Sequence, residues 1–301
     1  MVNARDIVNA RGGKWMTNYG LTSCPVCQPE MRKDQVGLSV SDKNGRLLMK
    51  CHKGNCDYVS ILKGVGAGSE RSPGQSDDDR KARVAEDLRR ALSGRATANK
   101  VMSASRRRIH PYTSRKGFPR LEFPTISIAE LKRIIKIPMM LGGLHPDDML
   151  LCVPMRTEDG ELRSVEFISD SGVKCFLPGG KLKKTACWMG KEGPVVLCEG
   201  VATGLSLWRS AASQDLAIRV ACAGSASNML SLRGVASFVM ADNDESGAGR
   251  KAALDVGKPF TMPPIVGTDF NDFELAIPSE ARRLLWRLLS GEQSLAVRPT
   301  K

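Results

Sequence analysis

Five acidic side chains stand where strand ends would gather them. Glu199 follows the apolar run PVVLC, Asp242 and Asp244 follow SFVMA, and Asp269 and Asp272 lie in GTDFNDF. If the two apolar runs are neighbouring parallel strands, these carboxylates converge and repel one another unless cations lie between them. Hard divalent ions with oxygen ligands, Mg2+ or Mn2+, suit such a group. Ions of this kind hold phosphates and stabilise the entering and leaving oxygens of nucleotidyl transfer. A plainer role is open as well: an acid here can cap the helix that follows it, as Asp244 could for SGAGR.

A second constellation is built from sulfur. Cys24, Cys27, Cys51 and Cys56 form C-x2-C-x23-C-x4-C, and between the pairs lie VGLSV, a turn at DKNG and LLMKC. That pattern predicts a β-hairpin bringing two ligand pairs together around a closed, structural Zn2+. Cys51 is preferred to its neighbour His52, because a fourth thiolate completes an all-sulfur site. So few large apolar groups in about 60 residues would hardly fold without the metal. The remaining cysteines (Cys152, Cys175, Cys187, Cys198, Cys222) sit singly in apolar runs and read as buried, reduced thiols.

The elements that must position these groups follow from periodicity. Beyond Gly193 apolar runs alternate with helical stretches: PVVLCEG, VATGLSLWRSAA, LAIRVACAG, SASNMLSL, ASFVMADND, SGAGRKAALDVG. Such alternation predicts a parallel sheet with right-handed crossovers and chemistry at the carboxyl ends of its strands. The stretch from Gly249 to Thr268 is short for a further strand–helix pair. Ahead of this region, residues 148–180 read as an antiparallel meander with Asp-Gly and Ser-Gly turns. Ser127 and Glu130 form a capping box opening the helix IAELKRIIKI, with Pro138 as its stop. Val84, Leu88 and Leu92 predict a helix over 80–93 that ends at Gly94. Trp208 and Trp286 suit core packing, while His110 and His145 stand alone. The expected class is α/β, α+β overall. A small zinc-ribbon β module (1–63), a flexible Gly/Ser/Pro-rich linker (64–80), a basic mixed α+β region (81–192) and a Rossmann-like parallel-sheet region (193–301) follow one another.

Charge is distributed unevenly. The net charge is +13, and residues 1–120 carry 24 basic and 11 acidic side chains, so the whole surplus lies there. A basic N-terminal part is the footprint of a polyanion binder. No apolar run approaches a membrane span and no secretory signature opens the chain, so a cytoplasmic location is expected.

LCEG followed by ADNDESGAG, behind a four-cysteine module and a basic segment, resembles the DnaG-like DNA primase superfamily of bacteriophage and plasmid type, with its TOPRIM domain. The resemblance implies that Glu199 is a metal ligand or general base and that Asp242 and Asp244 hold catalytic Mg2+ or Mn2+. It makes Asp269 and Asp272 auxiliary acids. SVEFISDSGVKCFLPGG resembles the segment preceding TOPRIM, which implies a triphosphate or template contact for Lys174; YTSRKG implies the same for Arg115 and Lys116, and the basic run adds Arg107 and Arg108. Single-stranded DNA template and ribonucleoside triphosphates are the implied partners. No G-x-x-x-x-G-K-[ST] loop occurs, so a replicative helicase would be a separate chain. Two rivals remain: a non-catalytic zinc/TOPRIM recombination mediator, and a metal-dependent TOPRIM nuclease. Tyr19, Tyr58 and Tyr112, the only tyrosines, lack the context of a strand-cleaving nucleophile.

Overall fold

The computed structural model describes residues 3–32, 35–43, 46–54, 56–66, 77–137, 141 and 143–292. The chain divides into two units, Met1–Val84 and Ala85–Lys301. In the first, α1 (Ala4–Ala10) precedes β1 (Lys14–Trp15), β2 (Gly20–Thr22), β3 (Leu38–Lys43), β4 (Arg46–Cys51) and α2 (Tyr58–Gly64). The strands form one antiparallel sheet in sequence order, and β3 and β4 are the expected hairpin, with Leu38 opposite Cys51. Ile7, Val8, Leu38, Val40 and Ile61 make a small core beside Cys24 and Cys51.

All four thiols of the motif meet at one point. The Sγ atoms of Cys24, Cys27, Cys51 and Cys56 lie within 4.8 Å of one another, and Cys27 and Cys51 are 3.6 Å apart. Tetrahedral Zn–S bonds of 2.3 Å place sulfurs about 3.8 Å apart, so the set fits that ion. Burial would raise the Cys51 thiol, but N–H groups of Cys56, Gly54 and Lys53 reverse this and hold it at about 6. His52 turns elsewhere, its Nε2 lying 2.9 Å from the Ser39 hydroxyl, while the Cys51 thiol joins the other three.

The second unit holds two five-stranded sheets. β5 (Arg106–Ile109), β6 (Glu122–Ser127), β7 (Met149–Arg156), β8 (Leu162–Ile168) and β9 (Lys174–Phe176) pair antiparallel in sequence order. The other sheet runs β10-β12-β11-β13-β14, from β10 (Cys187–Met189), β11 (Val195–Cys198), β12 (Arg219–Cys222), β13 (Phe238–Met240) and β14 (Phe260–Thr261). β12, β11, β13 and β14 are parallel, and β10 joins β12 antiparallel. Helices cover both faces of this sheet. α6 (Val201–Ala212), α9 (Phe270–Ala276) and α10 (Pro278–Ser290) enclose one core with β7 and β8, whereas α7 (Ala226–Ser231) and α8 (Ala248–Val256) enclose another. Paired backbone hydrogen bonds between Arg156 and Ala186 join the two sheets. The short Gly249–Thr268 stretch does contain a last strand, β14, but only of two residues.

Several local expectations need correction. The helix expected over 80–93 is α3 (Asp77–Ala104), which begins within the expected linker and continues past Gly94; residues 67–76 lie outside the described residues. Gly94 is no stop: a Cβ there would meet the Gly179 carbonyl oxygen at 2.2 Å, so glycine permits close packing in mid-helix. Val84, Leu88 and Leu92, whose spacing signalled the helix, are more than half exposed, and Ala98 and Val101 supply the buried contacts. The capping box forms as expected at α5 (Ile128–Ile134), but the helix stops at Ile135, where the backbone turns extended; Pro138 lies outside the described residues. Trp208 and Trp286 are nearly half exposed on α6 and α10 and do not pack in the core. His110 is buried and accepts from the Tyr112 N–H, capping α4 (Pro111–Arg115). The five single cysteines are buried, as expected.

Two outcomes follow. Gly94→Ala should destabilise the second unit by about 1–3 kcal/mol through overpacking, against the usual gain of up to about 1 kcal/mol for Gly→Ala in a helix; a raised melting temperature would contradict the packing role. Cys24→Ser should abolish stoichiometric zinc and unfold the first unit while the second melts unchanged, read by metal analysis and two-transition calorimetry.

Candidate active site

β11 and β13 are adjacent and parallel, so the residues after them emerge side by side. Glu199 directly follows β11, and Asp242 stands two residues beyond β13. Asp269 arrives from farther along the chain because its loop is stitched to the same strand end. Asn243 N–H donates to the Thr268 carbonyl at 3.0 Å, Gly267 N–H to the Asn243 carbonyl at 2.6 Å, and the Asn243 amide to Pro263 at 2.9 Å. Asp269 then caps α9, accepting from the Asp272 N–H at 2.8 Å.

The electrostatics record the crowding. Burial, then the charges of Asp269 and Glu199, push the Asp242 carboxyl up to about 7, with Lys174 opposing. Its Oδ1 is buried without a hydrogen-bond partner among the described residues. Asp269 is likewise raised by burial, against the Asp272 N–H and Lys116. Asp244 behaves differently. It accepts from the Ser246 hydroxyl and from the N–H groups of Gly249 (2.6 Å) and Ala248 (3.0 Å), which hold it down to about 2. The Asp-x-Asp pair is thus split: one carboxylate caps α8 and the other faces the acidic edge. Gly249 permits this, since a Cβ there would strike the Asp242 carbonyl oxygen at 2.3 Å.

Beside the acids lies a cavity of about 400 Å3 lined by Arg115, Lys116, Lys174, Asp269 and Asp272. Sequence-distant basic and acidic candidates therefore share one space. Lys116 lies 2.9 Å from Asp272 and 4.0 Å from Asp269; burial lowers its pKa, and the two carboxylates more than reverse this. Arg115 reaches the Asp170 carboxylate at 2.5 Å. Lys174, by contrast, makes no ion pair or hydrogen bond with the described residues, and its Nζ lies 3.8 Å from where a Cβ on Gly200 would stand. Arg107 and Arg108 are not in the cavity. They lie on the exposed strand β5, where Arg107 donates to the Glu122 carbonyl at 2.6 Å.

A clamp fixes the Lys116 turn. Arg209 on α6 meets Glu274 on α9 through two hydrogen bonds of 3.0 and 2.6 Å, donates to the Gly117 carbonyl at 2.7 Å and stacks on Phe118. Asn271 adds hydrogen bonds to the Lys116 carbonyl and the Ser206 hydroxyl. Sequence reasoning missed this clamp, and it missed Glu166, a carboxylate 2% exposed within β8. For Glu166 the signal was present: a glutamate inside the apolar run SVEFI.

A divalent cation fits this edge in one respect: Asp242 offers an orphaned, buried oxygen among like charges. Among the described residues only the cysteine group has all its ligand atoms converged, so the acids form no closed cage. Mg2+ characteristically keeps waters and takes one or two carboxylates with substrate phosphates, which such an open edge allows.

The result is a zinc-compatible β module and an α/β body carrying an acidic sheet edge beside a cation-lined cavity. No protein-family model matches the chain. Among solved structures it is similar to the primase fragment of the bacteriophage T7 primase-helicase protein (14% identity, TM-score 0.37, covering 47% of this chain and 65% of that one). It is also similar to a DNA primase domain from Pseudomonas aeruginosa (16% identity, TM-score 0.31, 46% and 50%). A third likeness is to the DnaG primase catalytic domain bound to ssDNA (16% identity, TM-score 0.34, 69% and 78%). The chain thus spans less than two thirds of the T7 fragment and half of the Pseudomonas domain. No helix among the described residues is long and apolar enough to cross a membrane.

The raised carboxyls predict a pH dependence. Asp242 releases its proton near pH 4 when unfolded and at about 7 when folded, so the folded state binds more protons between these values. Metal-free protein should therefore lose stability as pH rises from 5 to 7.5, and Asp242→Asn should flatten that profile and melt higher at pH 7.5. Parallel profiles for the two proteins would contradict the crowding.

Proposed function

We propose that this chain is a DNA primase, copying single-stranded DNA into short RNA primers by metal-dependent nucleotidyl transfer. The observation that carries this reading is the orphaned Asp242 carboxyl at a parallel-sheet edge, flanked by Glu199 and Asp269 and adjoining a cavity that holds Lys174, Lys116 and Arg115. When bound, Mg2+ or Mn2+ supplies charge neutralisation at the reacting phosphate and its entering and leaving oxygens. Glu199 and Asp242 hold that ion, Asp269 supports it, and Asp244 keeps the Asp242 loop in place by fastening it to α8. Lys174, with no ion pair of its own, binds the triphosphate of an incoming ribonucleotide. Lys116 offsets Asp269 and Asp272, and Arg115 is held in place by Asp170 at the cavity wall.

The four-cysteine module binds structural Zn2+ and engages the template. Template backbone runs along the exposed basic strand through Arg107 and Arg108. The zinc module runs to residue 63, the linker gives way at Asp77 to α3 of the basic subdomain, and the TOPRIM domain follows residue 192, while a separate helicase delivers the template in the host cytoplasm.

Incorporation of labelled ribonucleotides on a single-stranded template, run beside nicking of the same DNA, tests the reading. Wild type should extend and not nick, and Asp242→Asn should do neither while folding normally. Nicking without incorporation would favour a nuclease, and strand binding without either reaction a recombination mediator. Replacing Arg107 and Arg108 by Ala should reduce the log–log salt slope of single-strand binding by roughly 0.7 per lost phosphate contact. An unchanged slope would take the template off β5.

A further inference from the structure

Glu166 is a costly residue with no evident structural partner. It is 2% exposed in the middle of β8, opposite Val153 of β7 and Phe176 of β9, and none of the described residues donates a hydrogen bond to it. A buried carboxylate normally has such donors or an ion pair. Strand alternation fixes its direction. Val153 and Ile168 share its face of the sheet, and both belong to the core between the antiparallel sheet and β11, so Glu166 points toward the strand that carries Glu199. Lys174 lies opposite Ile168 on that same face, diagonally across from Glu166. Burial, then Lys174 opposing and Glu199 reinforcing, brings the Glu166 carboxyl to about 7.

Lys174 thus acts on Glu166 and Asp242, and its Nζ lies beside Gly200, the residue after Glu199, without closing on any of the three carboxylates. A cation bound at Glu199 and Asp242 would engage two of these and repel the ammonium. Of the three, Glu166 would then be left to Lys174, since Asp269 and Asp272, which share its cavity, are offset by Lys116. We infer that Glu166 is a positioning residue: its buried charge anchors Lys174 at the edge of the cavity, so that the ammonium faces bound phosphate instead of solvent. The inference rests on reading the cavity as a nucleotide site, but its first test requires no turnover.

In that test the metal-free protein is treated with limiting acetic anhydride, and acetylation of Lys174 is compared by mass spectrometry with that of exposed Lys191. A side chain released from its anchor swings out to solvent and meets the reagent more often. Glu166→Gln should therefore raise Lys174 labelling about three- to fivefold, the range of a modest ion-pair interaction, with Lys191 unchanged. Equal labelling in the two proteins overturns the inference whether or not the chain polymerises anything. Where primers are made, Glu166→Gln should raise KM for the ribonucleotide severalfold with kcat nearly kept, and should add nothing in a Lys174→Met background. The same loss in both backgrounds would mean that Glu166 acts independently of Lys174. Should Glu166→Gln fail to fold, Lys174→Met gives the reciprocal measurement: it should lower the melting temperature at pH 8 and not at pH 5, and an equal loss at both overturns the pairing.

Discussion

Repulsion among carboxylates at one end of a parallel sheet is the constraint around which the second unit is arranged. Adjacent strands β11 and β13 deliver Glu199 and Asp242 side by side, and the Asn243–Thr268 stitch adds Asp269. Nothing in apolar packing favours such a gathering, and the cost is visible in an Asp242 carboxyl held at about 7 with an orphaned oxygen. Two devices keep the edge intact without a cation. Asp244 is drawn off to the N–H groups of α8, and Lys116 offsets Asp269 and Asp272.

Rigid supports hold these charges in place. The Arg209–Glu274 pair, closed on the Gly117 carbonyl, fastens the turn bearing Lys116 to α6 and α9. Removing Arg209 would leave the buried Glu274 carboxylate uncompensated, so the pair serves geometry more than net stability. The cation-bearing turn and the acid-bearing helix are therefore tied to each other. Local fixation of this kind preorganises a site for charge that arrives with a ligand.

Much of this was legible in the sequence, for physical reasons that differ by element. Cysteine spacing specified the converged thiols because few folds other than a metal knuckle need it. Alternation of apolar strands with helices specified the parallel sheet, and apolar runs ending in acids located the edge where the carboxylates gather. What remained hidden depends on tertiary contact. Gly94 reads as a stop until the neighbouring Gly179 carbonyl is seen against it. Trp208 and Trp286 are apolar by type, yet only the packing of α6 and α10 decides which side of each helix is covered. Asp244 and Asp242 are equivalent in the motif and are separated by the first turn of α8. Glu166 was readable as an anomaly in an apolar strand, but its direction toward Glu199 needed the sheet register.

The central claim is that these carboxylates are held together for a divalent cation. Calorimetric titration of the protein with Mg2+ at pH 6.5, in two buffers of different ionisation enthalpy, tests it most directly. With Asp242 at about 7, much of it is protonated at that pH, so cation binding must expel protons. The account predicts proton release that fades by pH 8.5 and is lost in Asp242→Asn. Mg2+ binding with no proton release in wild type, or no binding at millimolar concentrations, would contradict it.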